Sequence, residues 1–127
     1  MGSLVMGYKS LYTELASALD HLGVAVCDHD YMGYCFQTLG LRGFIYIKSR
    51  LTYKEKYMAL CHETGHLFYM KKGKTLNWSK KPRTEEQANW FAMQLLRRNG
   101  IDVEEYKEFY NKALVAVKKR KKSWFEI

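Results

Sequence analysis

Apolar residues recur every three to four positions at the start of the chain. Leu11, Leu15, Leu19 and Leu22 line one side of a helix expected over 8–22, and Gly23 follows as a residue that ends helices. The pattern then changes. Residues 24–27, "VAVC", form a short apolar run fit for a strand, 28–34, "DHDYMGY", read as a polar connection, and 43–49, "GFIYIKS", are aromatic and β-branched enough for a second strand. Gly40 and Gly43 mark a turn before that strand. Thr52 with Glu55 three residues on is a capping-box signature, and the helix it opens is expected to run to about Met70, with Gly73 ending it. A connecting loop over 71–83 carries six basic residues and no acidic one. A further helix is expected over 84–98, capped by Thr84 with Gln87 and stopped by Asn99-Gly100. Asp102 with Glu105 opens a last helix that reaches the basic run at 118–122.

These elements predict an α+β fold: a short antiparallel or mixed sheet packed on the central helix, followed by two further helices. A length of 127 residues suits one domain over 1–127, with a core over about 8–98 and a C-terminal helix and basic tail over about 102–127. Hydrophobic residues make up 47% of the chain, enough to fill a core, which excludes a disordered polypeptide.

Charge and cysteine usage narrow the setting. The formal net charge of +8 favours an acidic partner without naming one. Contact of the basic loop or of the run at 118–122 with DNA is one reading, and a solvated charged face is the commoner one. Three cysteines, Cys27, Cys35 and Cys61, form no C-x-x-C pair, and their odd number fits a reducing compartment. No apolar run approaches the roughly 18 residues that span a bilayer. A cytoplasmic protein with no membrane partner is expected.

The central helix carries the candidate chemistry. In "LCHETGHLFY", His62 and His66 stand four residues apart, displaced by about 40° and roughly 6 Å on a helix. Both imidazoles can therefore reach one metal ion. Glu63, about 100° around the helix from His62, can reach a water on that metal without ligating it. Two neutral nitrogens hold a Lewis acid while a carboxylate takes the proton of its water, the division of labour that hydrolysis needs. A catalytic zinc takes three protein ligands and keeps an open position. Glu85, on the next helix, is the candidate third ligand, and Asn89, one turn further on, can hydrogen-bond a histidine's second nitrogen. Ala88 and Ala92 on nearly the same face permit close packing of the two helices. Glu85 also reads as an acid in a first turn, favourable with the helix dipole, and the alanines as ordinary packing.

The pair "HETGH", 62–66, and "EEQANWFAMQLL", 85–96, resembles the two signatures of the ImmA/IrrE family of small metallopeptidases, H-E-x-G-H and E-x-x-A-N-x-F-A-x-x-L-L. The likeness extends over the leading helix and the short sheet to about Arg98. The resemblance implies a small zincin-like domain and a zinc-dependent endopeptidase of gluzincin type, with His62, His66 and Glu85 as metal ligands and Glu63 as general base. It also implies a protein substrate, a helix-turn-helix transcriptional repressor. The alternative is a zinc-containing antirepressor that binds its partner without cleaving it. Two departures stand out: Thr64 occupies a usually apolar position, and no proline follows the Leu-Leu pair.

The remaining expectations concern the surroundings of the site. Tyr34, Tyr46 and His29 are the candidate donors to an oxyanion. The strand at 44–47 is a candidate for aligning an extended substrate by edge pairing. Cys61 points about 100° away from His62 and is expected as a buried thiol rather than a fourth ligand.

Overall fold

The computed structural model describes residues 7–29, 35–39, 43–70 and 82–125. Helix α1 (Tyr8–His21) leads into a three-stranded sheet of β1 (Val24–His29), β2 (Cys35–Leu39) and β3 (Gly43–Lys48), and helices α2 (Tyr53–Met70), α3 (Pro82–Arg98) and α4 (Val103–Phe125) follow. The fold is α+β. The sheet is mixed, in the order β1-β3-β2: β1 runs parallel to β3 with Val24 opposite Gly43, and β2 runs antiparallel to it with Cys35 opposite Ile47. Among the described residues no helix is long and apolar enough to cross a membrane.

Three expectations are corrected here. Asp28 and His29 belong to β1 rather than to a polar connection, and β2 is a strand that the pattern did not announce. The strand at 44–47 is the central one, so both of its edges are already hydrogen-bonded to neighbours and it cannot take up a substrate by edge pairing. Helix α3 begins at Pro82, two residues before the expected cap at Thr84; proline suits a first helical position, where its missing N–H is not needed. Gly40, Gly73 and Tyr34 lie outside the described residues, as do the loop at 71–81 and the side chains of His29, Tyr46 and 118–122.

Local chemistry explains why α2 sits where it does. At its start the Thr52 amide donates to Glu55 Oε1 at 3.0 Å and the Glu55 amide to Thr52 Oγ1 at 3.2 Å, the reciprocal bonds of a capping box. The five residues Tyr57, Met58, Ala59, Leu60 and Cys61 that follow are all buried, so this stretch of the helix is enclosed on every side. Helix α1 and strand β1 pack against one another, α2 lies on α1 and on β3 and β2, and α3 lies along α2. Ile45 and Ile47, two apart on β3, are fully buried in the same core as Leu60, Leu96 and Tyr106. Burial of each such side chain stabilises the fold by about 1.5–3 kcal/mol relative to exposure.

The turn from α3 to α4 aims α4 back at the centre. The Ile101 amide donates to the Leu96 carbonyl at 3.0 Å and the Gly100 amide to that of Arg97 at 3.1 Å, the two bonds of a Schellman cap. Gly100 adopts φ +73°, which glycine reaches without the steric cost of a Cβ. Asp102 Oδ1 then accepts the Glu104 amide at 3.0 Å and caps α4, while Glu105 pairs with Lys54 of α2 instead of completing a capping box. This brings Tyr106 and Phe109 into the core.

Candidate metal centre

Gly65 sets the spacing between α2 and α3. A Cβ built at Gly65 would stand 2.8 Å from the Ala88 carbonyl oxygen and 2.9 Å from its Cα, which are backbone atoms and cannot swing away. Ala88 and Ala92, both fully buried, continue the same close seam. A larger residue at any of the three would push the helices apart. Their small size is what lets a side chain from α3 reach the histidines of α2.

Three of those side chains converge. His62 Nε2 and His66 Nε2 lie 3.1 Å apart. Glu85 bridges them, with Oε2 3.0 Å from His62 Nε2 and Oε1 3.5 Å from His66 Nε2. Donor atoms on a tetrahedral zinc with bonds of about 2.0–2.1 Å stand about 3.3 Å apart, close to the separation of the two imidazole nitrogens and to that of each imidazole from its nearer Glu85 oxygen. His62, Glu63 and His66 also present ligand atoms within 4.8 Å of one another. Glu63 Oε2 is 3.9 Å from His62 Nε2, however, whereas Glu85 touches both imidazoles. The tighter trio is therefore His62, His66 and Glu85, with the buried Glu63 carboxylate standing beside it.

The outer nitrogen of His62 is held in one protonation form. Its Nδ1 is 2.9 Å from Asn89 Oδ1 and 3.0 Å from the Tyr106 hydroxyl. That hydroxyl donates its own proton to Asn89 Oδ1, so both groups facing Nδ1 are acceptors. Nδ1 must carry the hydrogen, and the lone pair falls on Nε2, toward His66 and Glu85. Tyr110, one turn beyond Tyr106 on α4, donates to Glu85 Oε2 at 3.2 Å. Its ring lies 5.4 Å from that of His62.

The electrostatics favour a positive charge at this point. Burial by itself would lower the pKa of His62, but the bond to Glu85 and the charges of Glu63 and Glu85 outweigh it and raise the pKa above its ordinary value. Burial works in the opposite sense on Glu85, and there the bonds to His62 and His66 prevail and hold the carboxyl well below the usual carboxylate range. A cluster that favours positive charge beside two imidazoles, with an ionised carboxylate opposite them, is also suited to a metal cation. Cys61 contributes nothing to it: burial, only partly offset by the hydrogen bond from Tyr57, pushes its thiol up to about 12, so it stays neutral.

Thr64, which departs from the motif, donates its hydroxyl to the Leu60 carbonyl at 2.7 Å, and so places no unsatisfied polar group in a half-buried position. Tyr106 and Tyr110 are the site's neighbours that the sequence reading missed. Their signal was the aromatic stripe Tyr106, Phe109 and Tyr110 at helical spacing, which is also the signature of an ordinary core face.

Residues 19–115 match the family model Peptidase_M78, IrrE N-terminal-like domain. No curated protein and no solved structure matches the chain.

Proposed function

The chain belongs to the ImmA/IrrE family of IrrE N-terminal-like metallopeptidases, and from that premise we propose that it is a zinc-dependent endopeptidase of gluzincin type, cleaving a helix-turn-helix transcriptional repressor. The observation that supports the chemistry is the convergence of His62, His66 and Glu85, whose carboxylate lies 3.0 Å from one imidazole nitrogen and 3.5 Å from the other, with those nitrogens 3.1 Å apart. The repressor as substrate rests on the family resemblance. A basic protein suits an acidic segment on that partner or the DNA it occupies, and the cytoplasm is where such a partner is met.

His62, His66 and Glu85 would hold the zinc, which would supply a Lewis acid for the scissile carbonyl and for the attacking water. Asn89 orients His62 through Nδ1 and leaves Nε2 for the metal. Glu63 takes one proton from the water as its oxygen adds to the peptide carbon, and returns it to the nitrogen as the C–N bond breaks. Burial of Glu63 keeps bulk water from competing for that proton.

Replacing Glu63 with Gln tests the role directly. The variant should retain stoichiometric zinc and lose cleavage of the candidate repressor by about a hundredfold or more. If it relieves repression as well as the wild type does, the protein acts by binding its partner rather than by hydrolysis.

A further inference from the structure

The two tyrosines of α4 meet the site in a way that the catalytic description leaves unused. Tyr106 is almost fully buried, yet its hydroxyl faces the outer nitrogen of His62 and the oxygen of Asn89. Tyr110 directs its hydroxyl to the carboxylate that bridges the two histidines. The two residues are four apart on one helix, as His62 and His66 are on another, so their rings stack along α4 at a centroid distance of 6.2 Å and each reaches a different member of the trio.

We propose that Tyr106 and Tyr110 are positioning residues of the metal centre: Tyr106, with Asn89, fixes His62 as the Nδ1–H tautomer, and Tyr110 holds Glu85 turned toward the histidines. This inference rests on the metallopeptidase reading for its metal, but not for its hydrogen bonds.

Asn89 Oδ1 can only accept, and the Tyr106 hydroxyl has spent its one proton on that oxygen. Two acceptors then converge on Nδ1 and only a hydrogen there satisfies both. The other tautomer would set a lone pair against Asn89 Oδ1 and place a hydrogen on Nε2, where the metal belongs. Asn89 by itself could rotate about its side chain and present its amide nitrogen to the histidine instead. The Tyr106 hydroxyl opposes this, because the oxygen of Asn89 is what accepts its proton. Tyr110 acts on the third ligand. Glu85 sits in the first turn of α3 with several rotatable bonds, and the hydroxyl from α4 fixes Oε2, the oxygen that faces His62.

Because both hydroxyls arrive on α4, metal binding and the docking of α4 are linked. Whatever α4 contributes to metal affinity, the metal returns to the docking of α4. Zinc should therefore slow amide exchange over the first two turns of α4.

The test compares wild type with Tyr106→Phe and Tyr110→Phe, and with Tyr53→Phe as a tyrosine away from the site. Zinc affinity is measured by competition with a chromophoric chelator, and the visible spectrum of the cobalt-substituted protein reports ligand geometry. Each α4 variant should bind zinc roughly 10–100-fold more weakly and shift the cobalt bands, while Tyr53→Phe does neither. Zinc affinities within twofold of wild type together with unchanged cobalt spectra in both α4 variants overturn the proposal. If Tyr106→Phe does not fold, Tyr110→Phe decides the outcome by the same two measurements, because Tyr110 is only partly buried and its hydroxyl bonds Glu85.

Metal-free protein separates this proposal from the metallopeptidase reading. Wild type that takes up no zinc overturns the latter. Nitrogen-15 spectra of metal-free His62 at alkaline pH then decide the former: a proton on Nδ1 that exchanges faster with solvent in Tyr106→Phe supports it. A proton on Nε2 in wild type, or an exchange rate unchanged by the substitution, overturns it.

Discussion

Helix α2 carries two ionic clusters, one in its first turn and one in its second half, and they are completed in different ways. In the first, Lys56 Nζ stands 2.6 Å from Asp28 Oδ2 of β1, and the Tyr12 hydroxyl of α1 donates to the other oxygen at 2.6 Å. The ammonium also lies over the Tyr53 ring, 4.9 Å from its centroid. Burial first, and then the bond to Asp28, raises the pKa of Tyr12, so its hydroxyl remains a donor. This cluster brings its own cation and joins α1, β1 and α2. In the second, two imidazole nitrogens and a carboxylate converge on a point, and among the described residues no lysine or arginine is seen paired with His62, His66 or Glu85. Charge complementarity is finished by side chains in one place and calls for an added cation in the other. A partly buried ionic cluster that closes on itself ties elements of the fold together, whereas one whose donor atoms converge on a point is equipped to bind a cation.

That contrast can be broken by experiments of decreasing effect. Zinc at about a thousand times its dissociation constant should stabilise the protein by about 4 kcal/mol, seen as a rise in melting temperature that chelation reverses. No rise would place the second cluster in the same class as the first. Gly65→Ala should cost about 3 kcal/mol of stability, because the added methyl meets the Ala88 backbone. It should also weaken zinc binding by moving Glu85 away from the histidines. Chemical denaturation and chelator competition on this variant read the two effects separately, and intact zinc affinity would show that the seam does not set the site's spacing.

Asp28→Asn gives the smallest effect. Asp28 is substantially exposed, so solvent screens the pair, and the loss should be about 1–2 kcal/mol. Zinc affinity should not change. A drop in zinc binding would mean that the two clusters are coupled along α2, contrary to their separation in the structure.

The sequence exposed one of these clusters far better than the other, for a physical reason. His62, Glu63 and His66 are local on a helix, where periodicity alone brings side chains together, and Glu85 with Asn89 lies one turn apart on the next helix. The caps at Thr52 and Gly100 are local as well. Long-range partners left no such trace. Tyr106 meets His62 across 44 residues, and nothing distinguishes it in sequence from the other tyrosines among ten. Lys56 meets Asp28 across 28 residues, in a stretch read as a polar connection. Strand β2, "CFQTL", is a short edge strand whose identity comes from its register against β3 rather than from a strong pattern of its own.

The most direct measurement is metal content by mass spectrometry on protein purified without chelator or nickel resin, for wild type, His66→Ala, Glu85→Ala and Asp28→Asn. About one zinc per chain in wild type and Asp28→Asn, and sharply less in the other two, is the expected result for a three-ligand centre. A wild type without metal even after zinc is offered, or a Glu85→Ala that holds zinc as wild type does, would contradict the account.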